Sequence, residues 1–261
     1  MRHLLRRDFS FAYEIRTVGS LLYFDANRLV RSSLVMHLAD RLSAVSVVFF
    51  DFGFTLWNEE DTWNGWADWL GVSRLEFFAV LGSVIERGEH HHCVFRAFRP
   101  GFDITEERER RKALGRSDAF RPDQLYPDVI PCLRELQAAG YQTGVAGNHF
   151  ADFAETLRHM HAPLNFIGSS EEWSVEKPAP EFFVRIAEVS GVPPAQIAYV
   201  GDRLDNDVLP AKAAGMVSVF LPRGPWGRIH ALRQEAAEAD IRIGSLSELL
   251  NRILNLPSQS G

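Results

Sequence analysis

Residues 199–216 read YVGDRLDNDVLPAKAAGM. The apolar run Ile197–Val200 leading into this stretch reads as a strand that ends at Gly201–Asp202. Val208–Ala214 then reads as a helix with Gly215 just after it, and Val217–Leu221 as the next strand. The same alternation continues outward. Tyr141–Ala146 is a strand stopping at Gly147–Asn148, a helix follows over about 150–160, and Phe166–Gly168 is a short strand. Pro180–Ser190 is a helix opened by proline and closed by Gly191. Ile241–Ile243 is a further short strand and Ser245–Leu254 a closing helix. Leu133, Leu136 and Ala139 lie on a helix ended by Gly140. Strands alternating with helices in this way imply an α/β fold with a doubly wound parallel sheet.

Upstream, Val45–Phe50 is apolar except for Ser46 and rich in β-branched and aromatic residues, as suits a strand buried on both faces. A long, mainly helical stretch separates it from the other strands. Residues 61–99 carry Trp63, Trp66, Trp69 and Leu70 at helical spacing, then Phe77, Phe78, Leu81 and Ile85. TEERERRKAL (105–114) is a charged helix with Thr105 as its expected cap. The expected organisation is a core of residues 44–57 and 123–261 carrying a helical insertion over 58–122. Residues 1–43 are Arg-rich and weakly periodic, and are read as an extension, disordered or foreign to the native protein, with Met36 as the expected true start. An arm or helix packing on the core is the competing reading.

The chain has 261 residues, with 34 Asp+Glu against 28 Lys+Arg and a net charge of −6. This acid excess argues against nucleic-acid and anionic-membrane partners. Two cysteines, Cys93 and Cys132, are too few for a disulfide framework and favour a reducing, cytoplasmic setting. No apolar run approaches the roughly 20 residues of a membrane span, and the basic N-terminus lacks the apolar segment of a secretory signal.

In an open α/β sheet the site lies beyond the carboxyl ends of the strands. The residues delivered there are Asp51, Gly53 and Thr55; Gly147 and Asn148; Lys177; and Asp202 with Asp205, Asn206 and Asp207. Carboxylates crowded at one edge repel one another. A hard cation among them, with Mg2+ fitting oxygen ligands, would relieve this. A lysine beside them would neutralise a nucleophilic carboxylate and hold an anionic substrate.

VVFFDFGFTL, GVAGN, EKPAPEFF and YVGDRLDNDVLPAKAAGM together resemble, in order, the four motifs of the haloacid dehalogenase-like (HAD) hydrolase superfamily. The likeness runs from residue 45 to about 250, with the insertion where that family carries a C1-type helical cap on its Rossmannoid core. It implies a hydrolase, most simply a phosphatase of small phosphorylated metabolites. Asp51 would be the nucleophile and would form an aspartyl-phosphate. Mg2+ would be held by Asp51, the Gly53 carbonyl, Asp202 and Asp207, with Lys177 balancing charge. Thr55 would fix the loop, and Gly147 and Asn148 would bind substrate.

Two departures stand out. Hydrolytic phosphatases of the family carry an acid two residues after the nucleophile, as general acid and base, and here that position is Gly53. The second motif usually supplies Ser or Thr to the phosphoryl group, and here it supplies Gly147. The competing expectations are therefore an attenuated protein that binds a phosphorylated ligand or a protein partner, or hydrolysis of a bond other than a phosphate ester. His149 reads as a plain loop residue, with acid–base replacement as its alternative. Glu59 and Glu60 read as solvated linker acids, with a swing over the site as theirs. Asp205 reads as a helix N-terminal acid, Lys112 as a surface lysine, His90–His92 as a polar turn rather than a zinc site, and the tryptophans as packing within the cap. Arg223–Gly227 reads equally as a loop closure or as a contact to substrate or cap.

Overall fold

The structure, a computed structural model, describes residues 38–116 and 118–254. Six strands form one parallel sheet in the order β3-β2-β1-β4-β5-β6. They are β1 (Val47–Phe50), β2 (Gln142–Gly147), β3 (Phe166–Ser169), β4 (Ile197–Gly201), β5 (Val217–Phe220) and β6 (Ile241–Arg242). β1 lies between β2 and β4 and is buried along its whole length, as an unbroken VVFF run requires. Side chains alternate across a strand, so this run serves two cores. Val48 and Phe50 pack with Val129, Leu133 and Leu136 of α5 (Val129–Ala138), Leu157 of α6 (Ala151–His159), and Leu246 and Leu249 of α11 (Leu246–Leu254). Val47 and Phe49 face Phe182, Phe183 and Ile186 of α8 (Pro180–Ser190) and Ala211 of α9 (Leu209–Ala213). Each such side chain contributes about 1.5–3 kcal/mol on burial, so helices are anchored on both faces of the sheet.

Between β1 and β2 the chain forms α1 (Glu60–Leu70), α2 (Arg74–Glu86), α3 (Cys93–Phe98) and α4 (Ile104–Ala113). The helical reading of 61–99 is thus divided, at Gly71 and again around Gly88, both in left-handed backbone. Ser73 and Glu76 open α2 with a reciprocal capping box. The cap of α4 is Asp103 rather than Thr105. Its carboxylate accepts from the N–H groups of Thr105 (2.9 Å) and Glu106 (3.2 Å), a stronger acceptor for orphan donors than a hydroxyl. The helices share an aromatic core of Trp63, Trp66, Phe77, Phe95 and Phe102, joined by Phe54 and Trp226 from outside the insertion. Trp69 is half-buried and donates its indole N–H to Glu107 at 2.7 Å.

Residues 38–43, grouped with the extension on sequence, are helical and belong to the core. Leu42 is buried among the residues beside β1, and Arg41 bonds the Asp240 carboxylate (2.7 Å) and the Met216 carbonyl (2.9 Å). The readings of residues 1–37, Met36 included, fall outside the described residues. Two helices were not expected, α7 (Ser170–Trp173) and α10 (Gly224–His230). No helix among the described residues is long and apolar enough to cross a membrane.

Candidate active site

The carboxyl ends of β1, β2 and β4 are adjacent, and the strand order reverses direction there, which opens a crevice. Asp51 stands at the end of β1, its N–H bonded to the Val200 carbonyl at 2.8 Å. The chain then turns tightly. The N–H groups of Thr55, Leu56 and Trp57 all converge on the Phe52 carbonyl, at 3.2, 2.9 and 2.9 Å. Thr55 is fully buried and its hydroxyl donates to Asp51 Oδ2 at 3.4 Å. Arg223 secures this turn from β5's side, donating to the Thr55 carbonyl at 2.9 Å and to the Asp128 carboxylate. Trp226, in the same RGPWG segment, packs on Trp63 of α1 with ring centroids 5.5 Å apart. The segment therefore both closes the loop and meets the insertion.

The Lys177 Nζ is buried and donates to Asp51 Oδ1 and Asp207 Oδ1, both at 2.5 Å. Burial alone would lower this ammonium's pKa. The Asp207 and Asp51 carboxylates outweigh it and hold the pKa well above the ordinary lysine value. Asn148, expected to contact substrate, lines the crevice and also holds the lysine loop. Its Oδ1 accepts from the Lys177 N–H (2.7 Å) and its Nδ2 donates to the Lys177 carbonyl (2.8 Å), so it clamps the lysine loop. Gly147 ends β2 beside Asp51 and has only its main chain to offer.

Asp202 and Asp207 are both buried. Asp207 Oδ2 accepts from the Arg203 N–H at 3.0 Å. Asp205 is instead paired with the Arg203 guanidinium, at 2.7 and 3.1 Å, away from this cluster. One carboxylate oxygen from each of Asp51, Asp202 and Asp207 lies within 4.8 Å of the others. Asp202 Oδ2 is buried with no hydrogen-bond partner among the described residues. Burial, then Asp207 and Asp51, push the Asp202 carboxyl well up, and burial pushes Asp207 to about 6. One ammonium does not balance three carboxylates. A hard divalent cation fits this all-oxygen donor set and would answer the orphaned oxygen of Asp202.

The two glycine positions are occupied from the side. A Cβ at Gly53 would lie 2.8 Å from Glu59 Oε1 and 3.1 Å from its Cδ. Glu59 is not a solvated linker acid: it is half-buried, lines the crevice, and accepts from the Trp63 indole at 3.2 Å through Oε2. Burial raises its carboxyl to about 7. Its neighbour Glu60 is exposed. A Cβ at Gly147 would lie 2.9 Å from His149 Cδ2, 3.3 Å from His149 Nε2 and 3.0 Å from Asp51 Oδ1. The His149 imidazole packs against Phe52 and Phe153, with centroids 5.4 and 4.8 Å away. Neither placement is visible in the linear spacing, because each depends on a tight turn folding the chain back on itself.

The cavity above these residues measures about 740 Å³. Asp51, Glu59, His149, Lys177 and Asp202 line its floor, and Trp63, Trp66, His91, Arg108, Lys112 and Arg116 line it from the insertion. Lys112, read as a surface lysine, thus borders the site. His90, His91 and His92 do gather, with nitrogens within 4.8 Å of one another. The rings of His90 and His91 are stacked at 4.3 Å and 28°, and His90 Nδ1 accepts the His92 N–H at 3.2 Å within the turn.

The sequence profile of haloacid dehalogenase-like hydrolases matches residues 45–215. A glyceraldehyde 3-phosphate phosphatase of Methanopyrus kandleri is 37% identical over 134 residues, which cover 50% of this chain and 57% of that protein. A phosphoserine phosphatase of Thermus thermophilus is 31% identical over 199 residues, 70% of this chain and 76% of that one. The match thus spans little more than half of the first relative's length. Among solved structures, a HAD phosphatase from Thermococcus onnurineus superposes with a TM-score of 0.53 at 26% identity, over 81% of this chain and 98% of its own. An L-2-haloacid dehalogenase from Xanthobacter autotrophicus superposes at 0.61 with 18% identity, over 82% and 100%, a likeness of fold alone.

Proposed function

The chain belongs to the haloacid dehalogenase-like hydrolases, and from that membership we propose that it is a Mg2+-dependent phosphatase of a small phosphorylated metabolite. The observation that carries the reading is the buried Asp51–Asp202–Asp207 cluster with its single lysine and its orphaned Asp202 oxygen. Carbon–halogen hydrolysis needs no cation, so a cation cradle favours transfer of a phosphoryl group. The residues that would hold Mg2+ are Asp51, Asp202, Asp207 and the main-chain carbonyl of Gly53. When bound, the ion would neutralise charge on the transferring phosphoryl group.

Asp51 attacks phosphorus and forms an aspartyl-phosphate, which water then hydrolyses. Lys177 orients the Asp51 carboxylate and offsets its charge against the incoming anion. Thr55 and Arg223 hold the turn that aims Asp51. His149 lies where the hydroxyl of a Ser or Thr at position 147 would reach, and donates to the phosphoryl oxygens in its place. Arg108, Lys112 and Arg116 on the opposite wall favour substrates with a second anionic group.

The test is hydrolysis of phosphate monoesters, with and without a second anionic group, by the full chain in Mg2+ and in chelator, beside Asp51→Asn. Mg2+-dependent turnover that Asp51→Asn abolishes is expected, fastest on the doubly anionic esters. Turnover that survives Asp51→Asn, or no turnover by a protein that still binds Mg2+, would replace the phosphatase with another chemistry or with a binding role.

A further inference from the structure

We propose that Glu59 is the general acid and base of this site, supplying from the start of the insertion the carboxyl group that Gly53 lacks. The proposal rests on the phosphatase reading above and extends it to the group that moves the protons.

Three observations converge on this role. The first is occupancy: the space a side chain at 53 would enter is taken by the Glu59 carboxyl group, with Oε1 at 2.8 Å and Cδ at 3.1 Å from a Cβ built there. Gly53 is not in left-handed backbone, so a side chain there would meet the Glu59 carboxyl and not main-chain strain. The second is orientation. Residue 59 is the N-cap of α1, a position that shorter Ser, Thr, Asp and Asn side chains fill best, and the Glu59 carboxyl makes no cap bond there. Asn58 Oδ1 takes the Glu60 N–H instead, at 3.2 Å. Glu59 reaches over the site, Oε2 fixed by the Trp63 indole and Oε1 turned toward Gly53. The third is access, because Glu59 and Asp51 line the same cavity.

The steps balance as follows. As Asp51 attacks phosphorus, the bond from phosphorus to the ester oxygen breaks, its electron pair stays on that oxygen, and the Glu59 carboxylic acid protonates it. The alcohol leaves. The Glu59 carboxylate then takes a proton from water while the water oxygen attacks phosphorus. The bond to Asp51 breaks with its electron pair returning to the carboxylate, and Glu59 is again protonated. The net reaction is ester plus water to alcohol plus phosphate.

The experiment compares wild type, Glu59→Gln, Glu59→Ala and the double variant Gly53→Asp/Glu59→Ala, on an alkyl phosphate and on p-nitrophenyl phosphate, over a range of Mg2+. Glu59→Gln keeps the acceptor for Trp63 and lacks only the transferable proton. Its turnover of the alkyl ester should fall about 10²–10⁴-fold. On p-nitrophenyl phosphate, whose leaving group needs no proton, it should release one equivalent of nitrophenol rapidly and then turn over slowly. Returning an acid to position 53 should recover part of what Glu59→Ala loses. Wild-type turnover of the alkyl ester by Glu59→Gln would overturn the assignment and leave the phosphatase reading standing. So would a loss that disappears at high Mg2+, which would make Glu59 a cation ligand. Absence of turnover in wild type would remove both readings together.

Discussion

The two flanks of the site obtain their functional groups differently. In the charged cluster, Lys177, Asp202 and Asp207 are buried, and Lys177 is tied to both Asp51 and Asp207 by short charge-assisted contacts. On the flank of β1 and β2 the positions near Asp51 are glycines, and Glu59 and His149 arrive from further along the chain to stand against them. The first flank is a closed set of charges in which every member depends on the others. The second is a set of side chains held by aromatic neighbours, and its members should be separable. The same volume beside Asp51 can thus be filled from two different residue numbers.

The largest expected effect is on the charged flank. Lys177→Met leaves buried carboxylates without their ammonium, and removing one partner of such a set costs about 3–5 kcal/mol. Urea unfolding in chelator should show this loss, and added Mg2+ should offset part of it. A change below about 1 kcal/mol would mean that the flank is not charge-balanced in the way described. Next, saturating Mg2+ should stabilise the wild-type chain by about 2.7 kcal/mol at a hundred times its Kd. Thermal melts should show the rise, and Asp202→Asn should remove most of it. On the second flank, His149→Ala should raise KM about 10–100-fold, the range for a lost hydrogen bond to a charged group. The fold should remain intact, and Asn148→Ala should lower kcat instead by loosening the Lys177 loop. Equal effects on both parameters from both variants would erase the distinction between the flanks.

A smaller effect tests a site beside the charged flank. His230 is buried, its Nδ1 accepts the Leu204 N–H at 3.1 Å, and burial lowers its pKa to about 4. His91 is pushed down in the same way, to about 2. The unfolded chain titrates these groups near 6.5, so between pH 6.5 and 4 it binds more protons than the folded one. Their contribution is therefore complete above pH 6.5 and is lost as pH falls toward 4. Urea midpoints over pH 7 to 4 should fall in that sense, and His230→Asn should flatten the curve.

The sheet was legible because the strands are short apolar runs, most of them ended by glycine or acid, and because Gly and Pro punctuate the helices. Asp51, Lys177, Asp202 and Asp207 could be read from the same strand ends, since strand order alone sends them to one edge. Glu59 and His149 are less legible: an ordinary loop residue is the leading reading of each and a reach over the site only its alternative, because only the turn gathered on the Phe52 carbonyl and the one after β2 bring them back over their glycines. α10 was missed for a related reason. A segment with Gly224, Pro225 and Gly227 has little helical tendency, and Trp226 holds it by packing on α1 and Phe54. Long helical spacing over 61–99 concealed the breaks at Gly71 and Gly88, because hydrophobic period does not report left-handed backbone.

The contact between Glu59 and Gly53 also has a consequence for descent. A side chain at 53 and a carboxyl group reaching over from 59 compete for one volume, so neither position can change freely while the other stays. Homologous chains with an acid at the position of Gly53 should carry a shorter or differently directed residue at that of Glu59, and chains with glycine there should keep the reaching acid. Such a pair should appear in an alignment as covariation between two columns, neither of which need be invariant.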